Sequence, residues 1–217
     1  MSDHAIRHDE AIVAFQSGEQ AVALDIWEDL SKQGNRTAAW ILGLVHFNGL
    51  VTDDESPDYK TAAVFFRQAA EQGHCLAQTA LGYLLYSGQG VEKDESKARY
   101  WFMLGADQDD DNAQCGLGYL YETGSGGDQD YDAAVGWYSQ AAKHGNIEAM
   151  FRLGLASLTG RGVSQSACEA LYWLVRAGAL GHQTAKDKCN ELLPFIDAKI
   201  ARRVFDLTLE KSPAALH

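Results

Sequence analysis

Residues 81–101 read LGYLLYSGQGVEKDESKARYW, and this stretch decides the fold because its pattern returns along the chain. A Leu-Gly pair opens it, a second glycine follows at Gly88, an alanine comes at Ala98, and a large aromatic residue stands three positions later at Trp101. The Leu-Gly pair recurs with spacings of 39, 36 and 36 residues, at positions 42–43, 81–82, 117–118 and 153–154. A fixed period of this length predicts a solenoid of stacked repeats.

Each repeat is predicted to contain two helices. The fixed positions of the first helix, such as Ala113, Leu117 and Tyr121, lie on one helical face. The glycine of each Leu-Gly pair lacks a side chain, so we expect a partner helix to approach closely there. The second helix is predicted to begin after a residue that favours the N-cap, and these residues are Asp58, Asp94, Asp130 and Ser166. We expect it to pack through its repeated aromatic residue, which is Phe65, Trp101, Trp137 or Trp173.

The composition agrees with a helical protein, and the net charge disfavours some classes of partner. Three prolines in 217 residues favour helices, and the 21 glycines fall largely at the repeated positions. Thirty acidic against 18 basic residues give a net charge of -12. Because this negative charge repels nucleic-acid phosphates and anionic membrane surfaces, we expect neither a nucleic acid nor such a membrane as the main partner. The acidic runs at 53–55 and 107–111 are predicted to be mainly solvated loops.

The fold class predicted from this pattern is all-α, a solenoid of antiparallel helix pairs forming one domain over residues 1–217. After Pro194 we expect a last amphipathic helix with Ile196, Ile200, Val204 and Leu207 on its apolar side and Arg202 and Arg203 off that side. The predicted parts are a degenerate helix pair at 5–34, repeats at 38–73, 77–109, 113–145 and 149–181, and capping helices at 185–210.

The repeated pattern, and above all the stretch from Leu81 to Trp101, resembles the Sel1-like repeat family, a branch of the tetratricopeptide-like superfamily. The stretch from Gly160 to Val163 matches that pattern again. The resemblance covers about residues 38–181 and implies a right-handed superhelix. It also implies adaptor or scaffold work, in which the protein holds a partner protein or peptide. Some family members carry a cysteine pair in each repeat, which this chain lacks.

A partner-binding surface is predicted on the first helices, which line the concave side in superhelices of this type. The relevant positions point away from the fixed packing face and are spaced three or four apart. Most are apolar or aromatic, which favours a groove for an apolar or amphipathic segment of another protein. The alternative is that these residues only pack against neighbouring repeats. The candidates are Trp40, Leu44, Phe47, Thr79, Tyr83, Tyr86, Tyr119, Glu122, Phe151, Leu155 and Leu158.

No motif in the sequence predicts a catalytic, cofactor or metal site. Asp128, Asp130 and Asp132 begin like a calcium loop, but Ala133 stands where that loop needs glycine. Phosphate-binding loops and nucleophile elbows are absent from the sequence. We therefore expect a protein that is not an enzyme and holds no cofactor. Cys168 and Cys189 could meet across a helix pair, but reduced thiols are the favoured interpretation.

The function predicted from the sequence is a scaffold or adaptor that binds another protein or peptide without catalysis. An alternative function is that of an immunity or inhibitor protein, which would cover the basic active site of a toxic enzyme. The polar N-terminal segment and the scattered cysteines favour a cytoplasmic location. The chain offers no run of apolar residues long enough for membrane insertion.

Overall fold

The repeats fold into paired helices, as their two-helix pattern predicts. The computed structural model describes residues 3–51 and 56–210, and within these ranges all the regular secondary structure is helical. The acidic run at 53–55 lies outside the described residues. The elements are α1 (Asp3–Gln16), α2 (Gln20–Lys32), α3 (Arg36–Phe47), α4 (Tyr59–Glu71), α5 (Cys75–Ser87), α6 (Glu95–Ala106), α7 (Asp111–Thr123), α8 (Tyr131–Lys143), α9 (Ile147–Thr159), α10 (Ala167–Ala179), α11 (Gln183–Leu192), a 3-10 helix (Leu193–Phe195) and α12 (Ala198–Glu210).

The helices divide between two units, Met1–Asp110 and Asp111–His217. In the first unit α1 packs on α2, α3 on α4 and α5 on α6, while α2–α3 and α4–α5 contacts join these pairs in series. In the second unit α7 packs on α8 and α9 on α10, α8 contacts α9, and both α11 and α12 contact α10. Paired helices in series confirm the predicted all-α solenoid class. That the whole chain is one domain stays a prediction.

The predicted starts of the second helices are confirmed by their capping hydrogen bonds. Asp94 accepts a hydrogen bond from the backbone N–H of Lys97 at 2.9 Å, and Asp130 accepts one from Ala133 at 2.9 Å. Asp58 and Ser166 cap α4 and α10 in the same way. A side-chain cap of this kind contributes about 1 kcal/mol, so the position of each second helix is specified locally.

The glycine of each Leu-Gly pair is where the two helices of a repeat come closest. A Cβ atom on Gly82 would lie 3.0 Å from the ring of Phe102, and one on Gly118 would lie 2.8 Å from the ring of Tyr138. Gly43 and Gly154 meet Phe66 and Leu174 in the same way. The close approach predicted from the missing side chains is therefore confirmed.

The residue that fills this contact is not the repeated aromatic residue but its successor. Trp101 and Trp137 are half-buried, whereas Phe102 and Tyr138 are fully buried. One step along a helix turns the side chain by about 100°, so neighbouring residues cannot point at the same glycine. The glycine contact is therefore filled by Phe66, Phe102, Tyr138 and Leu174. The predicted packing of the repeated aromatic residue is seen for Phe65 and Trp173, which pack against the cores of their units.

The last helix packs as predicted at Val204, but it begins at Ala198, later than predicted. Ile196, which was expected on this helix, precedes it with an extended backbone and packs against the core from there. α12 contacts α10, and Val204 is buried in the core of the second unit. Arg202 and Arg203 are exposed, off the apolar side. The side chains of Ile200 and Leu207, which the sequence analysis placed on the same side, lie outside the described residues.

Candidate protein-binding surfaces

Trp40 and Phe47, two candidates on α3, sit in a cluster of aromatic rings in the first unit. The Trp40 ring lies 5.1 Å from the Phe66 ring and stacks on the His74 imidazole at 5.2 Å. Phe47 contacts the Tyr59 ring edge-on at 5.2 Å. Both candidates are half-buried, so each has one side in the cluster and a remainder that faces outward.

Thr79 does not supply a surface. It is buried, and its hydroxyl lies 3.3 Å from the carbonyl oxygen of Cys75 and 3.2 Å from a carboxylate oxygen of Asp110. These bonds lie inside the first unit, between α5 and the segment after α6. Thr79 is thus a packing residue in this structure, as the alternative interpretation of the candidate positions allows.

Tyr83 is the most exposed of the predicted binding residues. Tyr83 is 46% exposed, while its ring packs edge-on against the buried Phe102 ring, with the two ring centroids 4.8 Å apart. Tyr86, one turn further along α5, is half-buried, and the ammonium group of Lys93 lies 5.5 Å from its ring centroid. Leu44 on α3 is also half-buried. The first unit therefore offers a partly exposed aromatic and aliphatic surface.

Glu122 and Tyr119 take part in a charged network inside the second unit. The Tyr138 hydroxyl donates a hydrogen bond to Oε2 of Glu122 at 2.6 Å, and Nη1 of Arg152 donates to the same oxygen at 3.2 Å. Nε of Arg152 donates to Glu148 at 2.7 Å, and its guanidinium lies 4.9 Å from the Tyr119 ring centroid. Glu122 is therefore engaged within its own unit, a role that the sequence analysis did not foresee.

Burial and the bond to Glu122 keep the Tyr138 hydroxyl in its donor form. Desolvation raises the pKa of Tyr138 most, and the hydrogen bond to the Glu122 carboxylate raises it further. For Arg152, burial works to lower the pKa, but the carboxylates of Glu148 and Glu122 outweigh it, and the net shift is upward. The network thus joins the neutral phenol of Tyr138, the carboxylates of Glu122 and Glu148, and the guanidinium of Arg152.

A cavity of about 170 Å³ opens beside this network between α7, α8 and α9. Leu155, a predicted binding residue, lines it together with Glu122, Tyr138 and Arg152. Arg161, in the turn after α9, also lines it and lies 5.4 Å from the Tyr131 ring centroid. Of the cavity's polar residues, Glu122 alone was a predicted binding residue. Arg152 was not predicted because its partners Glu122 and Tyr119 lie on a different helix, α7.

Phe151 and Leu158 each have one side against the core of the second unit. Phe151 stacks on the His182 imidazole at 4.3 Å, and Leu158 packs against the apolar core. Nε2 of His182 lies 3.2 Å from a carboxylate oxygen of Glu148. Both candidates are half-buried, so their exposed portions alone could contact a partner.

The two stacking histidines, His74 and His182, also cap first helices. Nδ1 of His74 accepts a hydrogen bond from the backbone N–H of Ala77 at 3.4 Å, and Nδ1 of His182 accepts one from Ala185 at 3.1 Å. Asn35 and Asn146 cap α3 and α9 at the corresponding positions. The two histidine caps were not predicted because histidine is not among the preferred N-cap residues.

The free energy of unfolding should fall as the pH is lowered, because His74 takes up a proton more readily in the unfolded chain. Burial, and then the charge of Arg36, lower the pKa of His74 in the folded chain. The unfolded chain therefore binds this proton more readily, so the contribution is complete above about pH 6.5 and is lost as pH falls from there through the folded pKa. Burial lowers the pKa of His46 as well, which adds to the same trend.

The matched variant is His74→Asn, because asparagine caps α3 and α9 without titrating. Urea denaturation at about pH 7 and about pH 5 should show a smaller loss of unfolding free energy for H74N than for the parent. His144→Asn, at an exposed histidine, is the control and should keep the parent's pH dependence. An unchanged pH dependence in H74N would show that His74 does not contribute.

The cysteines occur as free thiols in different environments. Burial raises the pKa of Cys115 to about 12 and that of Cys189 to about 11. Cys168 is exposed. In the described part of the chain, no group of three or more histidine, cysteine, aspartate or glutamate side chains is arranged to hold a metal ion. Also within that part, none of the helices is both long and apolar enough to cross a bilayer.

Comparison with known proteins adds a family match and two similar structures. The family model described as "Sel1 repeat" matches residues 37–74, 75–110, 111–146 and 147–182. One similar structure is a protective antigen present in uropathogenic Escherichia coli strains that displays an SLR fold. It is 27% identical at a TM-score of 0.82, and the match covers 98% of this chain and 47% of the antigen. This chain thus spans about half the length of that protein.

A second similar structure is a Sel1 repeat protein from Oxalobacter formigenes. It is 26% identical at a TM-score of 0.78, and the match covers 95% of this chain and 85% of that protein. The four matched segments are contiguous from residue 37 to residue 182, which is the register found from the Leu-Gly pairs.

Proposed function

The chain belongs to the Sel1 repeat family, and we propose that it binds a partner protein through exposed side chains on the first helices of its repeats. Sel1 repeat proteins generally mediate protein–protein interactions and form a scaffold-type family. The proposal for this chain is a scaffold or adaptor without catalytic activity. A cytoplasmic location stays a prediction from the sequence.

The observation that carries the proposal is the position of Tyr83. It is 46% exposed, yet its ring is fixed edge-on against Phe102 at 4.8 Å. A tyrosine held in place before binding loses little conformational entropy when a partner covers it, and it offers both an apolar ring and a hydroxyl. Tyrosine is also enriched among the residues that dominate binding energy.

The other residues proposed for binding in the first unit are Trp40, Leu44, Phe47 and Tyr86. Each is half-buried, and three of the four are aromatic. In the second unit the proposal rests on Tyr119, Leu155, Phe151 and Leu158. A surface of this kind suits an apolar or amphipathic segment, whose side chains would complete the burial of these rings. Glu122 would act by positioning Arg152 and not through its own exposure.

The test replaces Tyr83 by alanine and compares it with Tyr100→Ala. Tyr100 is 51% exposed but lies on α6, a second helix of the same unit. The partner is first identified by affinity purification from the native cell with mass spectrometry, and its affinity is then measured with purified proteins. We expect Y83A to weaken binding at least about tenfold, and Y83A/Y119A to weaken it further, while Y100A stays within about twofold.

Unchanged affinity in Y83A and in the double variant would place the interface elsewhere. Circular dichroism and the thermal midpoint must match the parent, because Tyr83 also contacts the buried Phe102. The identity of the purified partner separates the two functions predicted from the sequence. A toxic enzyme whose activity the chain blocks would support the immunity function, and a non-toxic complex would support the scaffold.

A further inference from the structure

A groove on the first helix pair lies outside the surface just described. It has a volume of about 640 Å³ and runs between α1 and α2. Ile6 and Val13 line it from α1, while Val22 and Ile26 line it from α2. Ile6 and Val22 are exposed and Val13 is 62% exposed. Apolar side chains exposed together in this way are typical of an interaction site.

The polar part of the groove is acidic. Asp9, Glu10 and Glu19 line it, and within the described part of the chain its lining includes no lysine, arginine or histidine. An occupant must therefore match two properties together, an apolar floor and a negative rim. Charged groups at a rim contribute chiefly to the choice of partner and the rate of association, whereas the apolar contacts supply most of the affinity.

The dimensions of the groove favour a helical occupant. Ile6 and Val13 are seven residues apart on α1, which corresponds to two helical turns, or about 10 Å. Val22 and Ile26 are one turn apart on the facing helix. Two helices of this kind form a trough into which a third helix can lay side chains spaced three, four and seven residues apart.

We propose that the α1–α2 groove binds an amphipathic helix of a partner protein whose apolar stripe is flanked by lysine or arginine. The apolar stripe would cover Ile6, Val13 and Val22. The flanking cations would meet Asp9, Glu10 and Glu19 at the rim. This site is independent of Tyr83, which lies on α5.

Charge disfavours the other occupants. Two copies of the chain joined through this groove would bring Asp9, Glu10 and Glu19 against their own equivalents, and like charges in an interface are costly. An anionic membrane surface would be repelled by the same carboxylates. The chain's own basic helix, α12, uses its apolar side against α10, where Val204 is buried.

The experiment uses the full chain and a stapled helical peptide about 14 residues long as the probe. The peptide carries leucine along one stripe and lysine on both flanks, and its counterpart replaces every lysine with glutamate. Fluorescence anisotropy should show binding of the lysine peptide with a Kd below about 100 µM and at least about tenfold weaker binding of the glutamate peptide. Raising NaCl from about 0.05 M to about 0.5 M should weaken the lysine peptide's binding.

Val13→Asp is the variant that tests the groove, and Val64→Asp is its control. Val64 is 61% exposed on α4, almost as exposed as Val13, and does not line the groove. We expect V13D to weaken peptide binding about tenfold and V64D to leave it unchanged. The triple variant D9N/E10Q/E19Q keeps the apolar floor, and it should retain binding while losing most of the salt dependence.

The proposal would be overturned if the lysine peptide did not bind or if the glutamate peptide bound equally well. It would also be overturned if V13D and V64D weakened binding of the lysine peptide to the same extent. A dimer in sedimentation velocity that V13D dissociates would assign the groove to a second copy. Flotation with phosphatidylserine vesicles that V13D abolishes would assign it to a membrane. Y83A should bind the peptide like the parent, so this test is separate from that of the proposed function.

Discussion

Replacing Gly162 by alanine should lower the free energy of unfolding by about 4 kcal/mol. Gly162 lies in the turn after α9 at a φ of +70°, a conformation that an L-residue adopts at a cost of about 1–2 kcal/mol. The larger part of the loss comes from contact. A Cβ atom there would overlap the carbonyl group of Tyr131 and lie 3.0 Å from the backbone nitrogen of Asp132.

This overlap cannot be relieved by rotating a side chain, because both contacts are backbone atoms in the first turn of α8. That turn is held by the Asp130 cap, whose carboxylate accepts from the backbone N–H of Ala133 at 2.9 Å. The overlap can therefore be removed only if the turn that contains Gly162 moves away from α8. Gly90 meets the backbone of Tyr59 in the same way in the first unit, so G90A should behave like G162A.

The control for Gly162→Ala is Gly145→Ala. Gly145 has a φ of +100°, but a Cβ atom there would find no heavy atom within 4 Å. G145A therefore carries backbone strain without overlap and should cost only about 1–2 kcal/mol in urea denaturation. Equal losses in G145A and G162A would show that the cost is backbone strain alone and that the turn does not need its close contact with α8.

The fold was predictable because its signals are local and repeat. An N-cap such as Asp94 acts on a backbone N–H three residues away, and a glycine such as Gly82 marks a close contact wherever the period returns. The residue that fills the glycine contact was harder to predict, for a physical reason. The contact with Gly82 is filled by Phe102, at a position that varies among phenylalanine, tyrosine and leucine, while the preceding position is aromatic in every repeat and Trp101 there is half-buried.

The candidate site was less predictable because exposure depends on neighbouring helices. Tyr83 and Thr79 share a helical stripe, yet one is exposed and the other is buried against Asp110. Glu122 was predicted to contact a partner, whereas its carboxylate is bound by Tyr138 and Arg152 from two other helices. A contact between residues on different helices produces no regular spacing in the sequence, so it could not be predicted from the repeat pattern.

The second large effect is expected at Tyr138. Tyr138→Ala should cost about 4 kcal/mol, because it removes a buried aromatic ring and opens the close contact with Gly118. Tyr138→Phe keeps the ring and removes only the hydroxyl that donates to Glu122 at 2.6 Å. Hydrogen bonds to charged groups contribute about 1.5–3 kcal/mol, so Y138F should fall near the lower end of that range, since Arg152 still pairs with the carboxylate.

A double-mutant cycle separates the bond from the packing. Glu122→Ala combined with Tyr138→Phe should give a coupling energy of about 1 kcal/mol in urea denaturation, because each change removes the bond between the hydroxyl and the carboxylate. The Trp137→Phe variant, at the half-buried neighbour, should cost clearly less than Y138A. A coupling near zero would show that the bond between the Tyr138 hydroxyl and the Glu122 carboxylate does not stabilise the fold.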